Sequence, residues 1–163
     1  MAKSLTHQDK DGRVRMVGVG EKPVSGRRAV AGARISMSKT AFAAIEAGQG
    51  PKGNALHTAE IAGIMAAKRT ADFIPLCHPL PLTSVKVVIE PVHDHHAFDI
   101  RAEVKCDGKT GVEMEALTAA SITALTLYDM TKALDKSMTI SDVQLLEKSG
   151  GQSGDFRRAL SDT

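Results

Sequence analysis

Three side chains stand out for moving protons: Asp129 and Lys132, three residues apart, and His78, confined by Pro75 and Pro79. Thr118, Ile122, Leu125, Asp129 and Lys132 recur at steps of four and three, so they share one helical stripe. Part of that stripe is apolar. An exposed ion pair at this spacing adds only about 0.2 to 0.5 kcal/mol, whereas dehydrating the charges costs several kcal/mol each. A pair on a buried stripe therefore needs another reason to exist, and Asp129 is also an anion near the negative end of a helix. Two readings stay open: surface decoration on a stripe that has turned into solvent, or a general acid/base couple tuned by partial desolvation. His78 is suited to phosphate binding or proton transfer from a rigid loop. Its neighbour Cys77 points to the opposite side of an extended chain, so the two do not form a nucleophile and base.

Other patterns are weaker. Residues 107–111, DGKTG, lie between a strand and a helix like a phosphate-binding Walker loop, but the glycine which that motif needs falls on Glu103. What remains is turn chemistry, with free N–H groups at a helix start that still attract an anion. Gly18 and Gly20 lack the third glycine of a dinucleotide fingerprint, its position being Pro23. His93, Asp94, His95 and His96 are zinc-ligand types, yet four consecutive residues rarely close a tetrahedral site, and a solvated turn is the simpler reading. Glu113 and Glu115 suit the positive end of the helix they begin, and their nearness to DGKTG keeps a site role open.

These side chains need elements to hold them. Residues 13–19 and 27–37 read as two strands parted by Gly20, Pro23 and Gly26. Ser38 caps a short helix through Phe42 and Ile45 that stops at Gly48; Asn54 caps a second, alanine-rich helix reaching Thr70. The turn between them presents Lys52. Pro75, Pro79 and Pro81 forbid helix in residues 74–82, IPLCHPLPL, and leave a stiff extended loop. Val85, Val87 and Ile89 alternate with Lys86 and Glu90, and residues 98–106 alternate likewise, which predicts an antiparallel hairpin with one wet face. A long helix over residues 111–134, a last strand through Val143, Leu145 and Leu146, and a polar tail from Ser149 follow. Helices on one face of an antiparallel sheet predict an α+β fold of the ferredoxin-like kind. We expect a single domain over residues 1–163 with flexible ends at 1–12 and 150–163.

A hydrophobic share of 42% with only 3% aromatics and no Trp asks for an aliphatic core. The net charge of +2 is a near balance spread along the chain, so any polyanion must be met by a local cluster, and no nucleic acid is expected. Cys77 and Cys106 are too few for a disulfide framework, and no apolar run reaches the roughly 18 residues of a membrane span. A cytoplasmic protein without a membrane partner is expected.

Longer strings narrow the field. LTH at residues 5–7, KGNALHTAEIAGIMAAKRT from Lys52, IPLCHPLPL from Ile74, CDGKTGVEMEALTAAS from Cys106, TLYDMTKAL from Thr126 and LLEKSGGQSGDF from Leu145 occur together. Over residues 5–156 the chain thereby resembles the C-protein family of molybdenum cofactor biosynthesis, the cyclic pyranopterin monophosphate synthases. The resemblance implies a lyase with a ferredoxin-like subunit, in a homohexamer built as a trimer of dimers with active sites at subunit interfaces. It implies a GTP-derived substrate, 3',8-cyclised dihydro-GTP, rearranged to cyclic pyranopterin monophosphate with release of diphosphate. Residue by residue, it makes Asp129 and Lys132 the acid/base pair and gives Lys52, Arg27 and Lys148 roles in holding phosphates or assisting proton transfer. It also places Leu76, Cys77, His78, Glu113, Met114 and Glu115 against substrate. The proline loop and the end of the long helix then form one site, some of whose groups meet between subunits.

No cofactor is implied; magnesium fits as a companion of the substrate's triphosphate, without a dedicated protein cage. Gly18 and Asn54 stand where the family pattern has an acid, and Thr131 where it has Cys. The missing carboxylate at Gly18 motivates a competing expectation, an inactive nucleotide-binding subunit of the same fold. The HDHH cluster motivates a third, a metal-dependent phosphohydrolase.

Overall fold

The alternation of Phe98, Ile100, Ala102, Val104 and Cys106 with charged residues produces a strand with one buried face, β3 (Ala97–Gly108). Its hairpin partner is β2 (Leu82–Val92), joined through a 3-10 turn at His93–His95. The computed structural model describes residues 11–152 and 154–159. In chain order the elements are β1 (Ser25–Ser36), α1 (Lys39–Glu46), α2 (Ala55–Lys68), α3 (Thr70–Phe73), β2, β3, α4 (Glu113–Thr131), β4 (Thr139–Ser149) and β5 (Phe156–Arg157). The sheet order is β2-β3-β1-β4-β5, and every neighbouring pair is antiparallel. The first four strands thus form two interleaved β-helix-β units, the ferredoxin-like arrangement the pattern predicts.

Local signals place the helix starts. Ser38 accepts from Ala41 N at 3.3 Å, and Asn54 accepts from His57 N at 3.0 Å. Gly48 adopts a φ of +70° just beyond α1, the left-handed conformation that favours glycine.

The helix layer differs from expectation in one decisive way. The core face of α4 is Ala116, Ala119, Ala120, Thr123, Ala124, Leu127 and Thr131. The stripe through Ile122, Leu125 and Asp129 instead faces outward, and Leu125 is 54% exposed. Small residues explain the inversion: they let α4 approach the sheet and α2 closely, at the cost of a weak hydrophobic signal. At Gly63 of α2 a side chain would collide with Thr123, whose hydroxyl is bonded back to the Ala119 carbonyl at 2.8 Å. Thr131, where the family pattern has Cys, is fully buried and donates to the Leu127 carbonyl at 2.6 Å, so the replacement leaves no polar orphan.

Two further differences concern the ends. Residues 13–19 contain only an isolated bridge at Val14 rather than a strand. Both edges of β1 are already paired, with β3 and β4, leaving no adjacent ladder for a preceding strand to join. Beyond Ser149 the expected polar tail includes β5, where Phe156 pairs with Lys148 and Arg157 with Glu147. The LTH string at residues 5–7 lies outside the described residues. Among the described residues, no helix is long and apolar enough to cross a membrane.

Candidate active site

Pro75, Pro79 and Pro81 end the helical run after α3, and residues 77–81 reach β2 without regular structure. This loop brings Leu76, Cys77 and His78 to the start of α4. There they line an open cleft of about 410 Å³ with Glu113, Met114 and Glu115. Val17, Val19 and Lys22, from the segment before β1, border the same cleft. Gly18 sits between the two valines, and a Cβ there would meet nothing within 4 Å.

Glycines shape the adjoining polar groups. A side chain at Gly111 would collide with the Glu113 carboxylate, and one at Gly151 would collide with the Arg27 guanidinium. Gly150 and Gly151 hold φ values of +90° and +85°, so the KSGG string is a left-handed turn that gives Arg27 its room. Arg27 Nε donates to the Gly108 carbonyl at 3.2 Å, and Lys148 Nζ donates to Glu113 Oε1 at 3.0 Å.

Glu115 differs from its neighbour. It is 4% exposed, and burial pushes its carboxyl up to about 7; the nearby Glu113 charge adds to the rise, while the residue's own backbone N–H opposes it. Near neutral pH such a group exchanges protons readily. Burial, with Glu115 adding, also raises the Cys77 thiol, which argues against a thiolate nucleophile.

The opposite end of α4 carries the expected ion pair and one more cation. Asp129 Oδ1 accepts from Lys132 Nζ at 2.7 Å, and Oδ2 accepts from Lys52 Nζ at 2.8 Å. Lys132, then Lys52, lowers the Asp129 carboxyl to about 2, and Asp129 raises Lys132 in return. All three groups are about half exposed. A carboxylate held this low is a poor proton acceptor at neutral pH; its geometry aligns two ammonium groups.

The loop and this cluster do not meet within one chain. Glu113 and Asp129 are separated along α4 by about 24 Å at about 1.5 Å per residue. The antiparallel packing of α2 on α4 is the reason: it sets Lys52 beside Asp129 and delivers the proline loop to the other end. Leu76, Cys77, His78, Glu113, Met114 and Glu115 are brought together, Arg27 and Lys148 adjoin them, and Lys52, Asp129 and Lys132 form a second group. Lys22, Thr110 and Gly111 also line the cleft; Thr110 and Gly111 belong to the DGKTG turn, whose free N–H groups were their signal in the sequence, and Lys22 had none. The HDHH residues lie elsewhere: the His93 and His96 rings pack edge-on against Phe42, at 5.5 and 6.0 Å between centroids. Among the described residues, no three His, Cys, Asp or Glu side chains gather in a metal-holding group.

The chain matches the MoaC family over residues 16–151, which takes in both groups and the helices between them. The chain belongs to the MoaC family. A relative from Parvibaculum lavamentivorans is 53% identical over 96% of this chain and 98% of its own length. One from Nostoc sp. is 55% identical over 94% of this chain and 91% of its own, and one from Brucella ovis is 52% identical over 99% and 97%. All three are named cyclic pyranopterin monophosphate synthase. The MoaC match covers the proline loop, the GVEME turn, the YDM segment and the KSGG turn, so the family's pattern extends over both ends of α4.

Proposed function

We propose that this chain is a cytoplasmic cyclic pyranopterin monophosphate synthase, a lyase that rearranges 3',8-cyclised dihydro-GTP and releases diphosphate. The observation that carries the reading is whole-length similarity to relatives bearing that name. The chemistry of the two groups supports it. Opening the purine ring and reclosing it as a pterin need protons delivered to and taken from ring atoms, close to a polyanion. Glu115, poised near neutrality, and the Lys52 and Lys132 ammonium groups supply proton donors and acceptors of different strength. Closing the cyclic phosphate forms one P–O bond from a sugar hydroxyl to the α-phosphorus and breaks the α–β P–O bond. The hydroxyl proton goes to a base, and diphosphate leaves against Arg27 and Lys148. The rearrangement is redox-neutral, so it asks for no redox cofactor; magnesium would travel with the triphosphate.

Because the two groups lie at opposite ends of α4, one ligand engages both only where a second copy brings its Lys52–Asp129–Lys132 cluster to the first copy's cleft. Ile61, Met65 and Leu125, exposed by 58%, 56% and 54% on the helices, offer apolar surface for such a copy, in keeping with a hexamer assembled from dimers.

The direct test supplies the cyclised GTP intermediate and follows diphosphate release together with pterin formation. Stoichiometric production of both is expected. A folded protein that binds the intermediate and forms no pterin is instead an inactive nucleotide-binding subunit. Light scattering that finds a stable monomer at micromolar concentration overturns the shared site.

A further inference from the structure

Outside both groups of the site, one carboxylate joins the end of α4 to the start of α1. Asp135, in the loop after α4, accepts from the Ser38 backbone N–H through Oδ2 at 2.7 Å. Its Oδ1 accepts from Ser137 N at 2.8 Å and from Ser137 Oγ at 2.6 Å. The Ser137 hydroxyl, then the Ser38 and Ser137 N–H groups, hold the carboxyl down at about 2, so Asp135 is an anion near neutral pH. No acidic residue lies in the first turn of α1, and Asp135 supplies from outside the negative charge that a helix N-terminus favours. The Tyr128 hydroxyl donates to the Lys136 carbonyl at 3.0 Å and pins the same loop back onto α4.

The other end of α1 is tied to the same part of α4. Beyond α1, the turn that carries Lys52 is closed by Gly53 N, which donates to the Gly50 carbonyl at 3.1 Å, and Lys52 then reaches Asp129. Residues 38–52 are therefore fastened at both ends to residues 129–135, while Ala41, Phe42 and Ile45 anchor α1 in the core between the two ties. An exposed ion pair is worth little by itself, and lysine has a flexible stem, so the Lys52 ammonium is placed chiefly by the turn beneath it. Releasing Ser38 frees α1 to swing about its buried face, and the Lys52 turn moves with it.

We propose that Asp135 is a positioning residue for Lys52: by holding the start of α1 against the end of α4, it fixes the turn from which Lys52 meets Asp129. The consequence for turnover rests on the synthase reading; the consequence for the turn does not.

Three substitutions separate this tie from its surroundings. Asp135→Asn is nearly isosteric; with its amide oxygen toward Ser137 it turns an NH2 donor toward the Ser38 N–H, which cuts the tie to α1 and keeps the local turn. Ser38→Pro removes the tie from the other side, because Ser38 has a φ of −64° that proline adopts while the N–H is lost. Ser38→Ala keeps the N–H and loses only the cap to Ala41, so it is the control. Backbone hydrogen exchange over residues 48–53 should accelerate about tenfold in Asp135→Asn and Ser38→Pro, the effect of one lost hydrogen bond to a charged group, and far less in Ser38→Ala. With the cyclised GTP intermediate, Asp135→Asn should lower kcat about 10- to 100-fold and leave KM nearly unchanged, as misplacement of a reacting group does. In a Lys52→Ala background the same substitution should lower kcat no further. Unchanged exchange in both tie-breaking variants, an equal acceleration in Ser38→Ala, or a kcat loss that adds in full to that of Lys52→Ala overturns the assignment. The expected exchange pattern in a protein that forms no pterin would keep the positioning of the turn and remove the synthase reading.

Discussion

The two ends of α4 put carboxylates under opposite control. At the N-terminal end burial dominates, and the Glu115 carboxyl is pushed up to about 7. At the C-terminal end two lysines dominate in an open setting, and Asp129 is lowered to about 2. One helix therefore carries a carboxyl whose proton affinity burial raises and a carboxylate whose proton affinity two ammonium groups lower. Residue type does not separate these two states. The surroundings do, because desolvation penalises the charged form and adjacent ammonium groups favour it.

The largest effects should come from the lysines. Lys52→Ala and Lys132→Ala should each lower kcat by about 10²- to 10⁴-fold, the range of a lost proton-transfer group. Asp129→Asn should cost less and move the basic limb of the pH–rate profile to lower pH, since Lys132 loses the carboxylate that raises it. A full loss with an unmoved limb would contradict a positioning role for Asp129. Complementation tests the division between chains: equal co-assembly of inactive Lys132→Ala and inactive Glu115→Ala chains should recover about a quarter of wild-type activity at shared two-chain sites. Activity no higher than the separate variants would show that each chain works alone.

Stability separates the ends more gently. Glu115 has a folded pKa above its ordinary 4.5, so its carboxyl is compatible with the fold below that value and becomes a cost as pH rises through about 7. Glu115→Gln should therefore stabilise the protein at pH 8 by up to about 3 kcal/mol and do little at pH 4, as read by denaturant unfolding. A gain that is equal at both pH values would remove the buried-acid interpretation. Asp129 has the opposite sign: its contribution is present above 3.8 and is lost as pH falls through about 2. Being exposed, Asp129→Asn should give the smallest shift of all, confined to the acid limb of a thermal unfolding series.

Much of the frame was legible along the chain because its causes are local. Alternation fixed the faces of β2 and β3, Ser38 and Asn54 marked helix starts, and the prolines excluded helix from residues 74–82. The buried face of α4 was not legible: alanine is a weak hydrophobic marker, while Ile122 and Leu125 drew the apparent stripe to the outer side. Lys22 was hidden for a related reason. It has no distinguishing neighbour in sequence, and it comes to the cleft only when the segment before β1 lies against the DGKTG turn.

The amino-acid order alone determined the three longer helices, the hairpin, the ferredoxin-like class and the strings that mark the family, all of which depend on spacing within short windows. Tertiary structure decided which of the candidate residues can act together. Periodicity sets the face of an element, but distances between elements follow from packing, and the close antiparallel contact at Gly63 and Thr123 places Lys52 with Asp129 and His78 with Glu113 at opposite ends of one helix.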